Sequence, residues 1–215
     1  MDKNKKFIID KKIESTIANL QKNNMYACYV ETKEDVIKEV KKFLKDGEKV
    51  SCGGSVTLIE TGIVEYLRNG KYSYLDRYDK SIPSEKINDL FREALLCDTY
   101  FTSSNAITEN GELLNIDRGG NRVAAMIFGP KSVIVIAGYN KIVTDIKAAY
   151  DRIKNIAAPS NAKRFELDIP CAKIGKCMEC ESSSKVCSYT TVIGYQIPAK
   201  KDRIKVIIVG EELGY

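Results

Sequence analysis

The run KSVIVIAG, residues 131–138, constrains the fold more than any other part of the chain. Its apolar residues follow one another without polar alternation. A strand with one wet face alternates apolar and polar side chains, whereas an unbroken apolar run needs cover on both faces. The β-branched residues favour extended backbone. A similar run, KVIIVG, opens a last strand and tail at 205–215. Shorter strand-forming runs fall at 25–31, 49–52 and 71–75, and 99–107 reads as a strand running into a loop.

Helical patterns separate these strands. Residues 7–23 place Phe7, Ile8, Ile13, Ile17 and Leu20 at helical spacing. Residues 32–47 open on Thr32 with acidic residues behind it and stop at Gly47, while 83–98 opens Pro, Ser, Glu. Residues 55–69 and 141–159 read as further helices, the second stopped by Pro159. Strands alternating with helices, with bare apolar runs among the strands, predict an α/β fold whose sheet is covered on both faces. Residues 1–160 form the main α/β body. From Pro159 onward come three of the five prolines and four of the seven cysteines. Residues 161–215 are therefore read as a Cys-rich segment with terminal strands that complete the same domain.

The chain has no histidine and no tryptophan. Mechanisms that need an imidazole, including Ser-His-Asp triads and His-bearing zinc sites, are excluded. Chemistry is left to carboxylates, cysteine, lysine, tyrosine or a cofactor. The net charge of +5 arises from 34 basic and 29 acidic residues interspersed with one another. That pattern reads as a solvated mixed-charge surface, and no nucleic-acid motif accompanies it. No stretch approaches the roughly 20 apolar residues that cross a bilayer, and the N-terminal MDKNKKFIID has no signal-like apolar core. A cytoplasmic protein without membrane insertion is expected.

Two loops stand out. SCGGSVTLIE, residues 51–60, places Gly53, Gly54 and Ser55 where a strand hands over to a helix. Such a turn faces the ligand crevice of an open α/β sheet, and its backbone N–H groups suit an anion. Ser55 also reads as a plain helix N-cap. Neither GxGxxG nor GxxxxGK[ST] occurs. The second loop, TSSNAITENGELLNIDRGGNRVAAMIFGP, residues 102–130, is dense in small polar residues. It carries Asn105, Glu109, a hairpin turn at Asn110-Gly111, and the RGGN stretch with Gly120 and Asn121. Lys141, after GYN, reads first as a surface lysine at a helix start and second as a contact for an anionic substrate.

The succession GGSVTLIETGI, TSSNAITENGELLNIDRGGNR and VIVIAGYNKIV resembles the LUD-domain family, of the lactate utilization protein C type, over roughly residues 10–160. The resemblance implies a fold like that of the sugar-phosphate isomerase and CoA transferase superfamily: an open Rossmann-like sheet flanked by helices, with the site at the strand ends. It also implies a role in L-lactate oxidation to pyruvate beside iron–sulfur redox partner subunits. The motif positions carried over for substrate binding are Gly53, Gly54, Ser55, Asn105, Gly111, Gly120 and Asn121. In related transferases and isomerases a loop glutamate does covalent or general-base work, and Glu109 in TENG looks similar to it.

Cys171, Cys177, Cys180 and Cys187 are spaced C-x5-C-x2-C-x6-C. Four thiolates suit a 4Fe–4S cluster or tetrahedral zinc, and free thiols or a redox disulfide remain open. Lys173, Lys176 and Lys185 are expected to lower the thiol pKa values. Cys28 and Cys97 read as core residues, while Cys52 adjoins the glycine turn and could face the crevice. Three functions follow. The chain is a lactate-oxidation subunit or accessory with a metal or Fe–S site. Alternatively it is a self-contained isomerase or acyl-transferase acting through Glu109 on a small anionic metabolite. As a third option it is a metabolite or redox sensor.

Overall fold

The computed structural model describes residues 2–215. Its ten strands are β1 (Tyr26–Val30), β2 (Lys49–Cys52), β3 (Ser73–Leu75), β4 (Thr99–Thr102), β5 (Ala106–Thr108), β6 (Leu113–Asp117), β7 (Ser132–Gly138), β8 (Ile142–Val143), β9 (Tyr189–Ile193) and β10 (Ile204–Val209). Six form a wholly parallel sheet in the order β1-β10-β7-β4-β2-β3. The other four form a second, mixed sheet in the order β8-β5-β6-β9. The α/β reading holds, with helices on both faces of the parallel sheet.

The apolar run of β7 explains this cover. Val133, Val135 and Ala137 point to one face, where Ile13 and Leu20 of α1 (Lys3–Lys22) join Ile107 and Leu113 of the second sheet. Ile134 and Ile136 point to the other face. There they meet Val36 and Val40 of α2 (Val36–Val40), Leu58 of α3 (Val56–Glu60) and Ile63 and Leu67 of α4 (Ile63–Asn69). Each fully buried Val or Ile contributes about 1.5–3 kcal/mol of transfer free energy. The second sheet is itself covered on its far side. Ala106 and Leu114 pack on Ala149, Ile153 and Ala157, in and just after α7 (Ile146–Arg152).

Several elements depart from the sequence reading. The 99–107 run is two strands in different sheets, β4 and β5, joined by the turn at Ser103–Asn105. The 83–98 helix shortens to α5 (Ile87–Glu93) between single 3₁₀ turns, and the 55–69 helix breaks at Gly62. Elements that went unread are α6 (Asn121–Ile127), β8, β9 and a short helix at 170–174. The last departure is at Pro159, where the 141–159 helix was expected to stop. The helix starts at Ile146, capped by Asp145 Oδ1, which accepts from the Ala148 N–H at 2.8 Å. It then runs through a π turn (Ile153–Ala157) straight into α8 (Ala158–Arg164). Pro159 falls in the first turn of α8, directly after the π turn, whose wider backbone relieves the clash of the proline ring with the preceding carbonyls. A short helix α9 (Pro170–Ile174) follows and packs on α8.

The topology fixes where a ligand fits. From β2 the chain moves outward to β3 at the sheet edge, then returns to place β4 on the other side of β2. The connections leaving β2 and β4 therefore run in opposite directions. In open α/β sheets that reversal opens a crevice at the carboxyl ends of the two strands.

Candidate anion-binding site

A cavity of about 550 Å³ occupies this crevice. Its walls include Gly54 and Ser55 after β2, and Ser103, Ser104 and Asn105 after β4. Ile116 to Gly119, with Asn121 and Arg122, close it from the second sheet, and Asn161 and Arg164 of α8 close it from above. Two loops far apart in sequence, 53–55 and 105–121, thus border one hollow.

The glycine turn serves close packing. A Cβ on Gly53 would meet Arg122 Cδ at 3.1 Å, and one on Gly54 would meet the Arg77 guanidinium at 3.2 Å. A side chain at either position would push these arginines back by a few tenths of an ångström. Ser55 Oγ accepts from the Leu58 N–H at 3.4 Å and so caps α3, while the Ser55 N–H donates to Tyr78 Oη at 3.0 Å. The turn's backbone is thus engaged, and α3 has only five residues. The charge that draws an anion here comes from side chains.

Arg122 joins the two loops. Its Nε donates to Asp117 Oδ2 at 3.0 Å, Nη2 to Asn105 Oδ1 at 3.1 Å and to the Ile116 carbonyl at 2.9 Å, and Nη1 to Asn115 Oδ1 and the Ser103 carbonyl. Asp117 also accepts the Gly119 and Gly120 N–H groups, which sets the entry to α6. Asp117 is the only acidic side chain of the cavity wall among the described residues, and Arg122 neutralises it.

The remaining cations are free to meet a ligand. Arg77, Arg118 and Arg164 line the cavity and form no ion pair among the described residues. Arg77 stacks on the Phe91 ring, 4.7 Å from its centroid, and Arg164 stacks on Phe165 at 4.5 Å. Such stacking holds a guanidinium plane without neutralising it. Two buried polar atoms of the wall, Arg164 Nε and Tyr215 Oη, have no hydrogen-bond partner. A buried donor left unmatched costs free energy, which marks this side of the wall as short of hydrogen-bond acceptors.

Lys141 is the least exposed of the cations, at 2 %. Its Nζ is 2.9 Å from Thr57 Oγ1 and 2.8 Å from Ser103 Oγ. Burial, reinforced by Arg152 and Arg122, lowers its pKa to about 7. The surface reading of Lys141 is corrected: Gly138 ends β7 so that a single 3₁₀ turn carries Lys141 inward.

The sequence candidates divide. Gly54, Ser55, Asn105 and Asn121 line the cavity, while Gly53 and Gly120 sit directly behind its wall. Glu109 and Gly111 do not line it. They occupy the turn between β5 and β6 and pack on α1. Glu109 Oε1 lies 3.5 Å from Lys12 Nζ, and its carbonyl accepts from Asn19 Nδ2. Gly111 abuts the Asn19–Leu20 backbone. Arg77, Arg118, Arg122, Arg164 and Tyr215 were not singled out from the sequence. The visible signal for Arg118 and Arg122 was their place in the RGGNR stretch.

The four late cysteines share one lobe. Cys171 is buried with Ala162, Ile169 and Val186 against α8. Its thiol pKa is raised by burial and then by the nearby Cys180, Cys177 and Cys187, and burial likewise raises Cys187. The lysines do not produce the expected lowering. Lys173 is held by Asp168, and Lys185 only partly offsets the rise at Cys187. The Glu179 N–H donates to Cys177 Sγ at 3.4 Å. Four soft donors suit zinc or an iron–sulfur cluster in kind. As folded here, however, no three His, Cys, Asp or Glu side chains among the described residues are arranged to hold a metal ion. Cys52 is buried in the core with its thiol near Tyr74 Oη, and burial raises its pKa to about 11, so it does not face the crevice.

No helix of the described residues is long and apolar enough to cross a membrane. No curated protein matches the chain. Among solved structures it is similar to a DUF162 family protein from Deinococcus radiodurans, with 13% identity over 95% of this chain and 98% of that one and a TM-score of 0.53. Looser similarities run to eIF2B delta from Chaetomium thermophilum, with 17% identity, 54% of this chain, 50% of that one and a TM-score of 0.34. A variant of the decarboxylase AibA/AibB gives 12% identity, 84% and 89% coverage and a TM-score of 0.37. The model of the LUD domain matches residues 13–209, which span the whole parallel sheet and every wall of the cavity except Tyr215, and the chain belongs to the LUD-domain family.

Proposed function

We propose that the cavity binds a small anionic metabolite through a carboxylate or phosphate group. In this reading the chain is a lactate utilization-type protein that acts in L-lactate oxidation to pyruvate beside iron–sulfur redox partner subunits. The family is associated with lactate utilization. One observation carries the reading: three unpaired guanidinium groups, Arg77, Arg118 and Arg164, converge with the orphaned Tyr215 Oη on a single hollow. Guanidinium forks recognise carboxylate and phosphate oxygens in pairs.

The test is a titration of L-lactate, pyruvate and inorganic phosphate against the melting temperature. A ligand present at 100 times its Kd stabilises by about 2.7 kcal/mol. A rise in Tm with one of these anions that Arg164→Ala abolishes supports the site. The site falls if none of the anions raises the Tm, or if the rise persists in Arg164→Ala.

A self-contained enzyme on the same metabolite is the second reading, and buried Lys141 favours it. Glu109, 3.5 Å from Lys12 and outside the cavity, does not serve that reading in this fold. The 4Fe–4S cluster, with zinc as the alternative, belongs to the proposal as a separate part that Cys171, Cys177, Cys180 and Cys187 would hold. The donor set supports it, and it requires the lobe to close further than it does here. No step of the anion chemistry runs through it.

A further inference from the structure

We propose that Lys141 is a nucleophilic amine that forms an imine with the carbonyl of a small 2-oxo acid held in the cavity. The inference rests on the anion-site reading and deepens it by naming the substrate class.

Lys141 has the surroundings of an amine rather than of an ion. Within hydrogen-bond reach its Nζ has two partners, Thr57 Oγ1 and Ser103 Oγ. A neutral amine has two N–H groups, so both hydroxyls are used as acceptors and the lone pair stays free. An ammonium would carry a third N–H with no protein acceptor. The charged groups that face it are Arg152, which donates to the Asn105 and Asn140 carbonyls, Arg122 from α6, and the more distant carboxylate of Glu60. No carboxylate forms an ion pair with it among the described residues. Arg152 is itself buried and engaged, so it crowds the amine with positive charge without touching the cavity. The lowered pKa of Lys141 follows from this placement and leaves a large neutral fraction near pH 7.

The cavity supplies the second half. Arg77, Arg118 and Arg164 are placed to hold a carboxylate, and Lys141 is the deepest cation of the wall. A small ligand that satisfies both carries an anionic group and an electrophilic carbonyl, as a 2-oxo acid does. In the step, the Nζ lone pair attacks the carbonyl carbon and a C=N bond forms. The carbonyl oxygen leaves as water with the two amine hydrogens. Protonation of the imine nitrogen by solvent gives the iminium. No oxidant or reductant is consumed, and water reverses the step.

The experiment incubates the full chain with pyruvate and cyanoborohydride at neutral pH and maps the product by peptide mass spectrometry. The expected result is one adduct per chain on the Lys141 peptide. Its mass gain equals pyruvate less water plus two hydrogens. L-lactate, which offers the carboxylate without the carbonyl, should suppress adduct formation and form none itself. Lys141→Arg and Lys141→Met should both lose the adduct, and the wild-type map stands even if a variant folds poorly. If pyruvate raises the Tm but Lys141 stays unmodified, the amine's role is overturned and the anion site survives. If pyruvate neither raises the Tm nor modifies Lys141 while L-lactate or phosphate does raise the Tm, the inference alone is overturned; if none of the three anions raises the Tm and Lys141 stays unmodified, both readings are overturned. Adducts spread over surface lysines with no excess at Lys141 overturn the inference as well.

Discussion

Arg122 Nε holds Asp117 Oδ2 at 3.0 Å, both side chains about nine-tenths buried, and the same guanidinium reaches Asn105 across the cavity wall. This pair fastens the second sheet to the loop after β4. Replacing Arg122 by Ala leaves Asp117 buried without its partner and orphans Asn105 and Asn115. A loss of about 3–5 kcal/mol is expected, read by urea unfolding. Arg122→Lys should recover only part of it, because an ammonium cannot occupy the fork that five acceptors share.

Arg77 and Arg164 should behave in the opposite way. Neither forms an ion pair, so Ala at either position changes stability by no more than about 1 kcal/mol. Binding of the anion should weaken by tenfold or more, since a charge-assisted contact is worth about 1.5–3 kcal/mol. Calorimetric titration alongside unfolding separates the two effects. Equal losses of both in Arg164→Ala would mean that it serves the fold alone.

Lys141 ties stability to pH. Its pKa is about 7 in the folded chain against an ordinary 10.5 when unfolded. Below pH 7 both states hold the proton and the folded state bears the full burial cost. Between pH 7 and 10.5 the unfolded chain binds more protons, so this contribution to stability rises with pH. Lys141→Met removes the cost. Its advantage over the wild type should be greatest below pH 7, on the order of 2–4 kcal/mol, and should fade toward pH 10.5. Denaturant midpoints of both proteins from pH 6 to 10 give the comparison. A constant difference would show that Lys141 is not the titrating group.

The turn between β5 and β6 offers a contrast. Glu109→Gln removes one half-exposed ion pair with Lys12, so stability should change by about 0.5 kcal/mol or less and anion binding should not change. Two residues on, Gly111 has φ +80° and its missing Cβ would sit 2.6 Å from the Asn19–Leu20 backbone. Gly111→Ala should cost more than about 2 kcal/mol, because helix α1 must move. Loss of anion binding in Glu109→Gln with unchanged stability would restore Glu109 to the site.

The four cysteines give a direct assay. Protein prepared without oxygen should contain iron and acid-labile sulfide, or zinc in their place, in proportion to chain. Cys177→Ser should abolish that content. Wild-type protein free of all three removes the metal part of the proposal and leaves the anion site untouched.

The layers were legible because β7 and β10 lack any polar alternation, and only a sheet covered on both faces accepts such strands. The crevice was legible because Gly53, Gly54 and Asn105 fall in loops after strands. What the cavity contains was not. Arg77, Arg164 and Tyr215 come from three separated segments, and nothing local marks an arginine as facing inward. Lys141 misled for the same reason: a single turn after β7 decides whether it meets water or Thr57. Pro159 misled because the π turn before it cannot be read from composition. The polar run after β4 concealed α6, whose start is set by Asp117 accepting two N–H groups.

Strand β1 finds its sheet partner only in β10, and β10 lies between β1 and β7. A ribosome delivers residues 26–30 long before residues 204–209. Throughout that interval β1 has no strand to pair with, and the growing chain carries an open edge on β7. Assembly is therefore forced to finish late, by threading a strand into a gap held open for it, and a nascent chain stalled before residue 204 should be a client of chaperones rather than a folded intermediate.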